Sequence, residues 1–185
     1  MTLMLEREVK LRFDNPDDAR AAILASGATP LRCRRLQEDV LLDTEDEILR
    51  RRRCVLRIRT EGGKSLLTFK GPVQPGTMKI RDEYETVVAD GEVLKHVLEE
   101  LGLHVWFRYE KYREEYAAED VSVALDETPV GTFVEIEGGE QGIHTMTRAL
   151  GRTDADFILD SYRGLFIQHC ERHGFSTDHM VFREE

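Results

Sequence analysis

Glu6, Glu8 and Lys10 alternate with apolar residues near the start of the chain, in the run LEREVKLRF. Side chains of a β-strand alternate between its two faces, so these three residues would share one face, while Val9 and Leu11 occupy the other. Paired carboxylates supply the oxygen ligands that hard divalent cations prefer, and a neighbouring amine binds anions. A solvent-facing strand can carry the same charges without any such role. The later strands therefore decide between the two interpretations.

The same alternation of charged and apolar residues returns on most of the later predicted strands. The charged or polar faces hold Arg57 and Arg59; Thr68 and Lys70; Lys79, Arg81, Glu83 and Glu85; Lys111 and Arg113; and Glu135 and Glu137. A buried face with nearly equal numbers of acids and bases is costly unless the charges pair or bind a ligand. A polyphosphate with a divalent metal would satisfy both signs, because Lys and Arg bind phosphate oxygens and carboxylates bind the metal.

The elements that would position these residues are about seven or eight strands with helices at intervals. The strands are predicted near 5–13, 31–43, 55–60, 65–70, 78–87, 103–117, 120–126 and 132–138, and the helices near 16–25, 45–53 (a short helix or a turn), 90–102, 140–151 and 158–173. Hairpin connections favour antiparallel pairing. If the helices cover the apolar strand faces, the charged faces point inward. We therefore predict an α+β fold, an antiparallel β-barrel of about eight strands that forms a tunnel, with helices packed on the outside.

Length and composition limit the possible classes of protein. The 185 residues are expected to form a single domain over 1–185, with a core of about 3–175 and a C-terminal tail. The net charge of -10 argues against general nucleic-acid binding. Cys33, Cys54 and Cys170 are far apart, which predicts a reducing compartment and no structural zinc. The sequence has no apolar run typical of a signal peptide or a membrane span, so we expect a soluble, cytoplasmic protein without a membrane partner. A homodimer is the default expectation for an enzyme of this size.

The ordered set of motifs resembles the CYTH superfamily, the triphosphate tunnel metalloenzymes. The motifs are ExExK at 6–10, LRIR at 56–59, TFKGP at 68–72, the pair Glu83 and Glu85, the pair Lys111 and Arg113, and GTFVEIEG at 131–138. ExExK alone is a weak signal, but together the motifs cover residue 5 to about 165. The resemblance implies a barrel tunnel that binds a triphosphate together with Mg²⁺ or Mn²⁺. The activities it implies are hydrolysis of inorganic triphosphate, thiamine triphosphate or RNA 5′ ends, and the class IV adenylyl cyclase reaction.

The resemblance also assigns roles to individual residues. The implied metal ligands are Glu6, Glu8, Glu135 and Glu137, with Glu83, Glu85 and Asp126 as further candidates. The implied phosphate-binding residues are Lys10, Arg57, Arg59, Lys70, Arg81, Lys111 and Arg113, and Glu6, Glu8 and Lys10 are expected to carry the catalysis. One departure is Asp160, which precedes Ser161 and Tyr162 where many members have Lys. Its presence puts the hydrolytic efficiency or the substrate preference in doubt, and Lys64 or Arg163 is the candidate replacement.

The predicted function is a divalent-metal-dependent triphosphatase that acts on inorganic, thiamine or nucleoside triphosphate. One alternative is a class IV adenylyl cyclase, which converts ATP to cyclic AMP and pyrophosphate. A second alternative is a module that binds polyphosphate or a nucleotide without turnover. Water attacks the triphosphate in a hydrolase, whereas the ribose 3′-hydroxyl attacks the α-phosphorus in a cyclase. In each case the expected partner is a small-molecule triphosphate.

Two shorter patterns suggest sites that compete with this interpretation. Gly62-Gly63-Lys64-Ser65 resembles the end of a phosphate-binding P-loop, but Ile58 stands where its first glycine is needed, so we predict a hairpin turn. His169 and His173 lie one helical turn apart and could bind zinc. Without a third ligand nearby, a solvated helix face is the better interpretation.

Two further features have an ordinary structural explanation and a functional one. The arginine run at 50–53 is typical of a solvated surface, but it could also form the basic rim of an anion-binding mouth. Trp106 is the one tryptophan of the chain. We expect it in the core or at the tunnel rim rather than as a platform for base stacking.

Overall fold

In the computed structural model, which describes residues 4–176 and 178–182, eight antiparallel strands close into a barrel. The strands are β1 (Met4–Phe13), β2 (Thr29–Thr44), β3 (Val55–Glu61), β4 (Lys64–Lys70), β5 (Lys79–Val88), β6 (Leu103–Ala118), β7 (Val121–Thr128) and β8 (Gly131–Gly138). Around the barrel their order is β1-β5-β4-β3-β2-β6-β7-β8, and neighbouring strands pair antiparallel throughout. The predicted α+β fold with an antiparallel barrel of about eight strands is confirmed.

Two-residue turns join β3 to β4, β6 to β7 and β7 to β8, and the first of them contains two glycines. Glu61 pairs with Lys64, which leaves Gly62 and Gly63 as the loop. Their φ angles are 54° and 77°, and positive φ at both positions is what a type I′ hairpin turn requires. The Gly62-Gly63-Lys64-Ser65 stretch is therefore a hairpin turn, as predicted.

Five helices and one 3₁₀ turn occupy the described part of the chain. They are α1 (Pro16–Ala25), α2 (Ile48–Arg51), α3 (Gly91–Glu100), α4 (Glu140–Ala149), the 3₁₀ turn Asp154–Asp156 and α5 (Tyr162–His173). The segment 45–53 contains just one helical turn. The last helix starts later than predicted, because Ile158 pairs with the backbone of Lys10 and the Ser161 side chain caps the helix by accepting from the Gly164 amide. None of the described helices has the length and apolar character needed to span a membrane.

The larger core lies outside the barrel, between β1, β7 and β8 and the helices α1 and α4. Its buried residues include Val9, Leu11, Val123, Leu125, Val134, Ile136, Ala19, Ile23, Ile143 and Met146. Burying each large apolar side chain stabilises the fold by roughly 1.5–3 kcal/mol, so a one-residue slip of these strands would be costly. Because side chains alternate, the charged residues between them, such as Lys10 and Glu135, point into the barrel.

A second core lies at the end of the barrel where β2 finishes and β6 begins. Leu41, Phe107 and Phe133, which point inward from β2, β6 and β8, pack against Leu165 and Phe166 of α5. Helix α5 therefore lies across the barrel end rather than along its outer wall. The C-terminal residues also contact the barrel, since the fully buried Met180 forms a parallel bridge with Tyr109 on the edge of β6.

The apolar stripe of α3 differs from the expectation that helices cover the barrel with their apolar faces. Val93, Val97 and Leu101 are 58%, 50% and 71% exposed. The helix contacts β3, β4 and β6 instead, with Leu94 and Leu98 half-buried. The helices therefore cover the β1–β8–β7 side of the barrel well and the other side incompletely.

Candidate active site in the barrel interior

The barrel encloses a cavity of about 570 Å³ whose lining is dominated by charged side chains. All the residues predicted to bind phosphate line it, namely Lys10, Arg57, Arg59, Lys70, Arg81, Lys111 and Arg113. Six of the predicted metal ligands also line it, namely Glu6, Glu8, Glu83, Glu85, Glu135 and Glu137, whereas Asp126 lies behind this layer. The structure thus brings together residues that the alternation along separate strands predicted, although the role of each stays a prediction.

Glu8 lies between two buried lysines. Its Oε1 is 3.0 Å from Lys10 Nζ and 2.6 Å from Lys79 Nζ. Burial by itself would raise the pKa of Glu8, but Lys10 and Lys79 outweigh it and hold the pKa well below its usual range. Burial, followed by the nearby Lys10, lowers the pKa of Lys79 to about 7. Lys79 shares the charged face of its strand, yet it was not among the residues predicted for the site.

Glu6 is held in a similar way by two other cations. Lys70 Nζ donates to Glu6 Oε1 over 2.6 Å, and Arg81 Nε donates to Oε2 over 2.7 Å. Lys70 also lies 2.7 Å from Glu83. Burial and the neighbouring Glu8 would raise the pKa of Glu6, but Lys70 and Arg81 lower it overall. The two carboxylates of the N-terminal motif are therefore ionised and surrounded by amine and guanidinium groups.

Asp39, which the sequence analysis missed, orients the two arginines of β3. Arg59 donates to both carboxylate oxygens of Asp39, over 2.9 and 3.2 Å, and Arg57 Nε lies 3.4 Å away. The Asp39 side chain is fully buried. Arg57 Nη2 also donates to Thr68 Oγ1. The buried Arg57 Nε has no hydrogen-bond partner among the described residues, so a donor remains for a bound anion.

Asp126 holds a second set of cations from behind the cavity wall. It accepts from Lys111 over 2.9 Å, from Arg113 over 2.6 and 2.5 Å, and from the Tyr162 hydroxyl over 2.5 Å. Burial would raise the pKa of Asp126, but Arg113 and Lys111 hold it below its usual range. Tyr162 was also missed, since it lies on α5 and no strand alternation points to it. With its oxygens taken by these donors, Asp126 acts on the cavity by orienting Lys111 and Arg113.

Glu135 and Glu137, adjacent inward positions of β8, differ in their surroundings. Glu135 contacts Arg113 and lies 3.1 Å from Lys10. The Glu137 side chain makes no hydrogen bond or ion pair within residues 4–176 and 178–182. Burial, followed by Glu6 and Glu8, raises the pKa of Glu137 to about 7. Negative charge is therefore left uncompensated beside the N-terminal carboxylates.

This set of donors suits a hard divalent cation such as Mg²⁺ or Mn²⁺. Glu6, Glu8 and Glu137 offer oxygen ligands, and the unpaired charge of Glu137 would gain a partner. Among the described residues, no group of three or more His, Cys, Asp or Glu side chains is already arranged to hold a metal ion. Glu6 and Glu8 contact lysine and arginine instead. The residues thus fit a metal by their chemistry, and holding it requires that the present ion pairs rearrange.

A comparison with protein families assigns this barrel. The family model described as the CYTH domain matches residues 4–158. The chain belongs to the CYTH family. CYTH proteins are enzymes of the adenylyl cyclase or triphosphatase type, and they depend on a metal in general.

Several proteins of known name or structure are similar to this CYTH chain. A Methanocaldococcus jannaschii protein provisionally named an adenylate cyclase is 28% identical over 148 residues, which is 80% of this chain and 84% of that protein. The PH1012 protein of Pyrococcus horikoshii gives a TM-score of 0.73 at 27% identity, over 86% of this chain and 98% of that one. HpAC1 from Hippeastrum, a provisionally named adenylyl cyclase described as having a dominant triphosphatase activity, gives 0.64 at 15% identity, over 95% and 97% of the two chains. At that identity the last likeness shows the fold alone.

The structure also places the residues that set this CYTH chain apart from the family pattern. Asp160 is exposed, accepts from Gln168 over 3.3 Å and does not line the cavity. Of its two candidate replacements, Arg163 lines the cavity, whereas Lys64 lies in the exposed β3–β4 hairpin. The rings of His169 and His173 are 4.5 Å apart on α5, where no third ligand joins them among the described residues.

Proposed function

We propose that this CYTH protein is a divalent-metal-dependent triphosphatase that hydrolyses a small-molecule triphosphate inside the barrel. The candidate substrates are inorganic triphosphate, thiamine triphosphate and a nucleoside triphosphate. The observation that carries the proposal is the cavity inside the barrel, into which lysines and arginines project together with carboxylates. Such a cavity is complementary to a polyphosphate together with a cation.

The cationic side chains of the cavity would bind and orient the triphosphate. Arg57 and Arg59 are held in place by Asp39, and Lys111 and Arg113 are held by Asp126. Guanidinium groups bind phosphate oxygens bidentately, so groups oriented in advance lose little freedom when the ligand binds. The contribution of these residues to the rate would be positioning and stabilisation of the charge that develops on the transferred phosphoryl group.

Glu6, Glu8 and Glu137 are the residues that would hold Mg²⁺ or Mn²⁺. Such a cation would supply positive charge that offsets the charge of the phosphate oxygens. Lys10 and Lys79, which contact Glu8 in this structure, would then be free to bind phosphate oxygens. The lysines therefore serve as substitute partners of the carboxylate in the ligand-free barrel.

Adenylyl cyclase activity is the second candidate, and the name of the Methanocaldococcus jannaschii relative favours it. The same cavity would hold the triphosphate of ATP, and the reactions differ in the nucleophile and in the phosphorus attacked. The cyclase reaction additionally needs a fixed ribose, so that its 3′-hydroxyl reaches the α-phosphorus.

Product analysis tests the proposal. The purified protein is incubated with tripolyphosphate, thiamine triphosphate or ATP, each with Mg²⁺, with Mn²⁺ or with EDTA. We expect orthophosphate release from at least one substrate, with a metal and not with EDTA. Cyclic AMP and pyrophosphate from ATP would identify a cyclase instead. Tight binding without either product under every condition would make the protein a binding module and overturn the proposal.

A further inference from the structure

Arg50, Arg53, Trp106 and Arg163 form a cluster at one mouth of the barrel, hereafter the rim cluster. All four residues line the same cavity as the inward-facing charges. They come from three parts of the chain that meet at the end of the barrel where β2 finishes and β3 and β6 begin. The proposed hydrolysis of a triphosphate gives no role to Arg50, Arg53 or Trp106, and Arg163 enters it only as a candidate replacement for the family lysine.

Trp106 reaches this mouth because β6 carries a bulge. The consecutive residues Leu41 and Leu42 of β2 pair with Phe107 and Val105, so Trp106 is an extra residue between them. A bulge of this kind redirects a side chain, and bulges are frequent at barrel rims and beside active sites. Without the bulge, regular alternation would place Trp106 on the face opposite to Phe107.

Arg50 is fixed against Trp106 by a buried carboxylate. Asp43, which is fully buried, accepts from the Arg50 amide over 3.0 Å and from Arg50 Nε over 3.2 Å. Arg50 also lies 3.2 Å from the half-exposed Glu47. Its guanidinium carbon is 4.5 Å from the centre of the Trp106 ring. The one-turn helix α2 thus presents a positioned guanidinium at the mouth.

Arg53 and Arg163 add positive charge that the protein does not neutralise. Neither side chain forms a hydrogen bond or an ion pair with any described residue. Arg163 lies against Trp106, 4.8 Å from the ring centre, and burial together with Arg50 lowers its pKa. Arg53 has a φ of 57°, the left-handed conformation in which helices commonly end, and its amide donates to the Arg50 carbonyl at the end of α2. Arg50 and Arg163 lie against the same Trp106 ring and repel one another, and the exposed Arg53 lines the same cavity, so an anion bound among them would reduce that repulsion.

We propose that the rim cluster is a subsite for a further phosphate of a linear polyphosphate, beyond the three phosphates held in the barrel. The proposal rests on the proposed triphosphate-binding function and extends it to a longer chain. Guanidiniums fit phosphate oxygens, whereas the Trp106 ring already contacts two of them and is less available for a base to stack on. A fourth phosphate would contact Arg53 and Arg163 with the fixed Arg50 beside it.

Calorimetric titration of tripolyphosphate, tetrapolyphosphate and ATP, each with and without Mg²⁺, tests the subsite. The test variant is Arg53→Gln/Arg163→Gln, with Arg53→Gln alone as a smaller change. The matched control is Arg51→Gln/Arg52→Gln, which removes two exposed arginines of the same run that do not line the cavity. The retained melting transition of each variant establishes that it is folded.

We expect the wild type and the control variant to bind tetrapolyphosphate about tenfold more tightly than tripolyphosphate, since one added charge-assisted contact is sufficient for that ratio. In the double variant, the ratio of tetrapolyphosphate affinity to tripolyphosphate affinity should fall to about 1–2. Arg53→Gln alone should give a ratio between those of the double variant and the wild type. Equal wild-type affinities for the two polyphosphates, or an equal loss of the ratio in the control, would overturn the subsite while leaving triphosphate binding intact. If the double variant weakens the binding of ATP but not that of tetrapolyphosphate, the rim cluster is a subsite for the nucleoside, and the proposal is overturned. Failure to bind tripolyphosphate at all would overturn the proposed function itself, and the subsite with it.

Discussion

Asp39 illustrates how a single buried carboxylate shapes the cavity. It is enclosed between Arg57 and Arg59, and its pKa is lowered because these guanidiniums outweigh the effect of burial. Removing one partner of a buried ion pair leaves the remaining charge without compensation, at a cost of about 3–5 kcal/mol. We therefore predict that Asp39→Asn lowers the free energy of unfolding by that amount in urea denaturation.

Glu38→Gln is the matched control for this prediction, because Glu38 is the exposed neighbour on the same strand. Its free energy of unfolding should stay within about 0.5 kcal/mol of the wild type. Saturating tripolyphosphate should restore part of the stability of Asp39→Asn, since it supplies the missing negative charge. Equal stabilities of the two variants would show that Asp39 does not compensate the arginines.

Glu8 is the residue on which the proposed metal dependence is best tested. Glu8→Gln keeps the size of the side chain but removes the charge that a divalent cation needs. We predict a decrease in kcat/KM of at least about 100-fold, equivalent to roughly 2.7 kcal/mol of transition-state stabilisation. Steady-state kinetics with the substrate found by product analysis measures the decrease in kcat/KM. Circular dichroism shows whether the variant is folded. A folded variant with wild-type activity would place Glu8 outside the metal site.

Glu137 gives a prediction about the pH dependence of stability. Its pKa rises from an ordinary value of 4.5 to about 7 in the folded protein, so between these values the native state binds more protons than the unfolded state. The free energy of unfolding therefore falls as the pH rises through this window. We predict that Glu137→Gln removes this fall and, in EDTA, is about 1–3 kcal/mol more stable than the wild type at pH 8, with little difference at pH 5. A gain of the same size at both pH values would contradict an ionisation effect.

At the scale of elements, α5 and α3 have different relations to the barrel. Leu165 of α5 is 5% exposed and packs in the second core at the barrel end, whereas Val97 of α3 is 50% exposed. We predict that Leu165→Ala lowers the free energy of unfolding by about 2–4 kcal/mol, because it leaves a cavity. Val97→Ala should change it by less than about 0.5 kcal/mol. Urea denaturation compares the two, and a large loss at Val97 would indicate that α3 packs more tightly than in this structure.

The strands and their inward residues could be predicted because strand alternation is a local property of the sequence. Lys10 and Glu135, for example, face the cavity because the apolar residues on either side of each belong to the core under the helices. The closed barrel followed from the same reasoning, since a charged face on nearly every strand needs an enclosed space. The start of α5 was less predictable, because a backbone bridge between Ile158 and Lys10 competes with helix formation there.

Residues placed by tertiary contacts could not be predicted in the same way. Tyr162 enters the site from a helix whose position across the barrel end depends on the whole fold. Asp39 lies on a strand whose inward positions mix Gln37, Asp39 and Leu41, so no repeated charge marks that face. The bulge at Trp106 interrupts the alternation itself, and its signal appears only in the pairing of β6 with β2.

For the whole molecule, the distribution of charge links stability to the ligand. The protein has a net charge of -10, yet it collects lysines and arginines inside the barrel, where they pair with carboxylates. The attraction within a buried ion pair is largely offset by the free energy needed to remove both charges from water. The ion pairs of the ligand-free interior therefore contribute little to the net free energy of unfolding. A ligand that binds the folded state alone stabilises it by about 2.7 kcal/mol at 100 times its dissociation constant. For a protein of this size that corresponds to a rise in Tm of roughly 5–10 °C.

We therefore predict such a rise in Tm with saturating tripolyphosphate and Mg²⁺, measured by differential scanning calorimetry. Orthophosphate at the same concentration and ionic strength is the control, and it should raise Tm much less, because one phosphate carries less charge and contacts fewer of the interior cations than three linked phosphates do. Since screening acts on exposed charges more than on buried ones, the rise should persist at high salt. An unchanged Tm with Mg²⁺ and tripolyphosphate would mean that the interior ion pairs are a self-sufficient core and that the barrel does not bind the ligand.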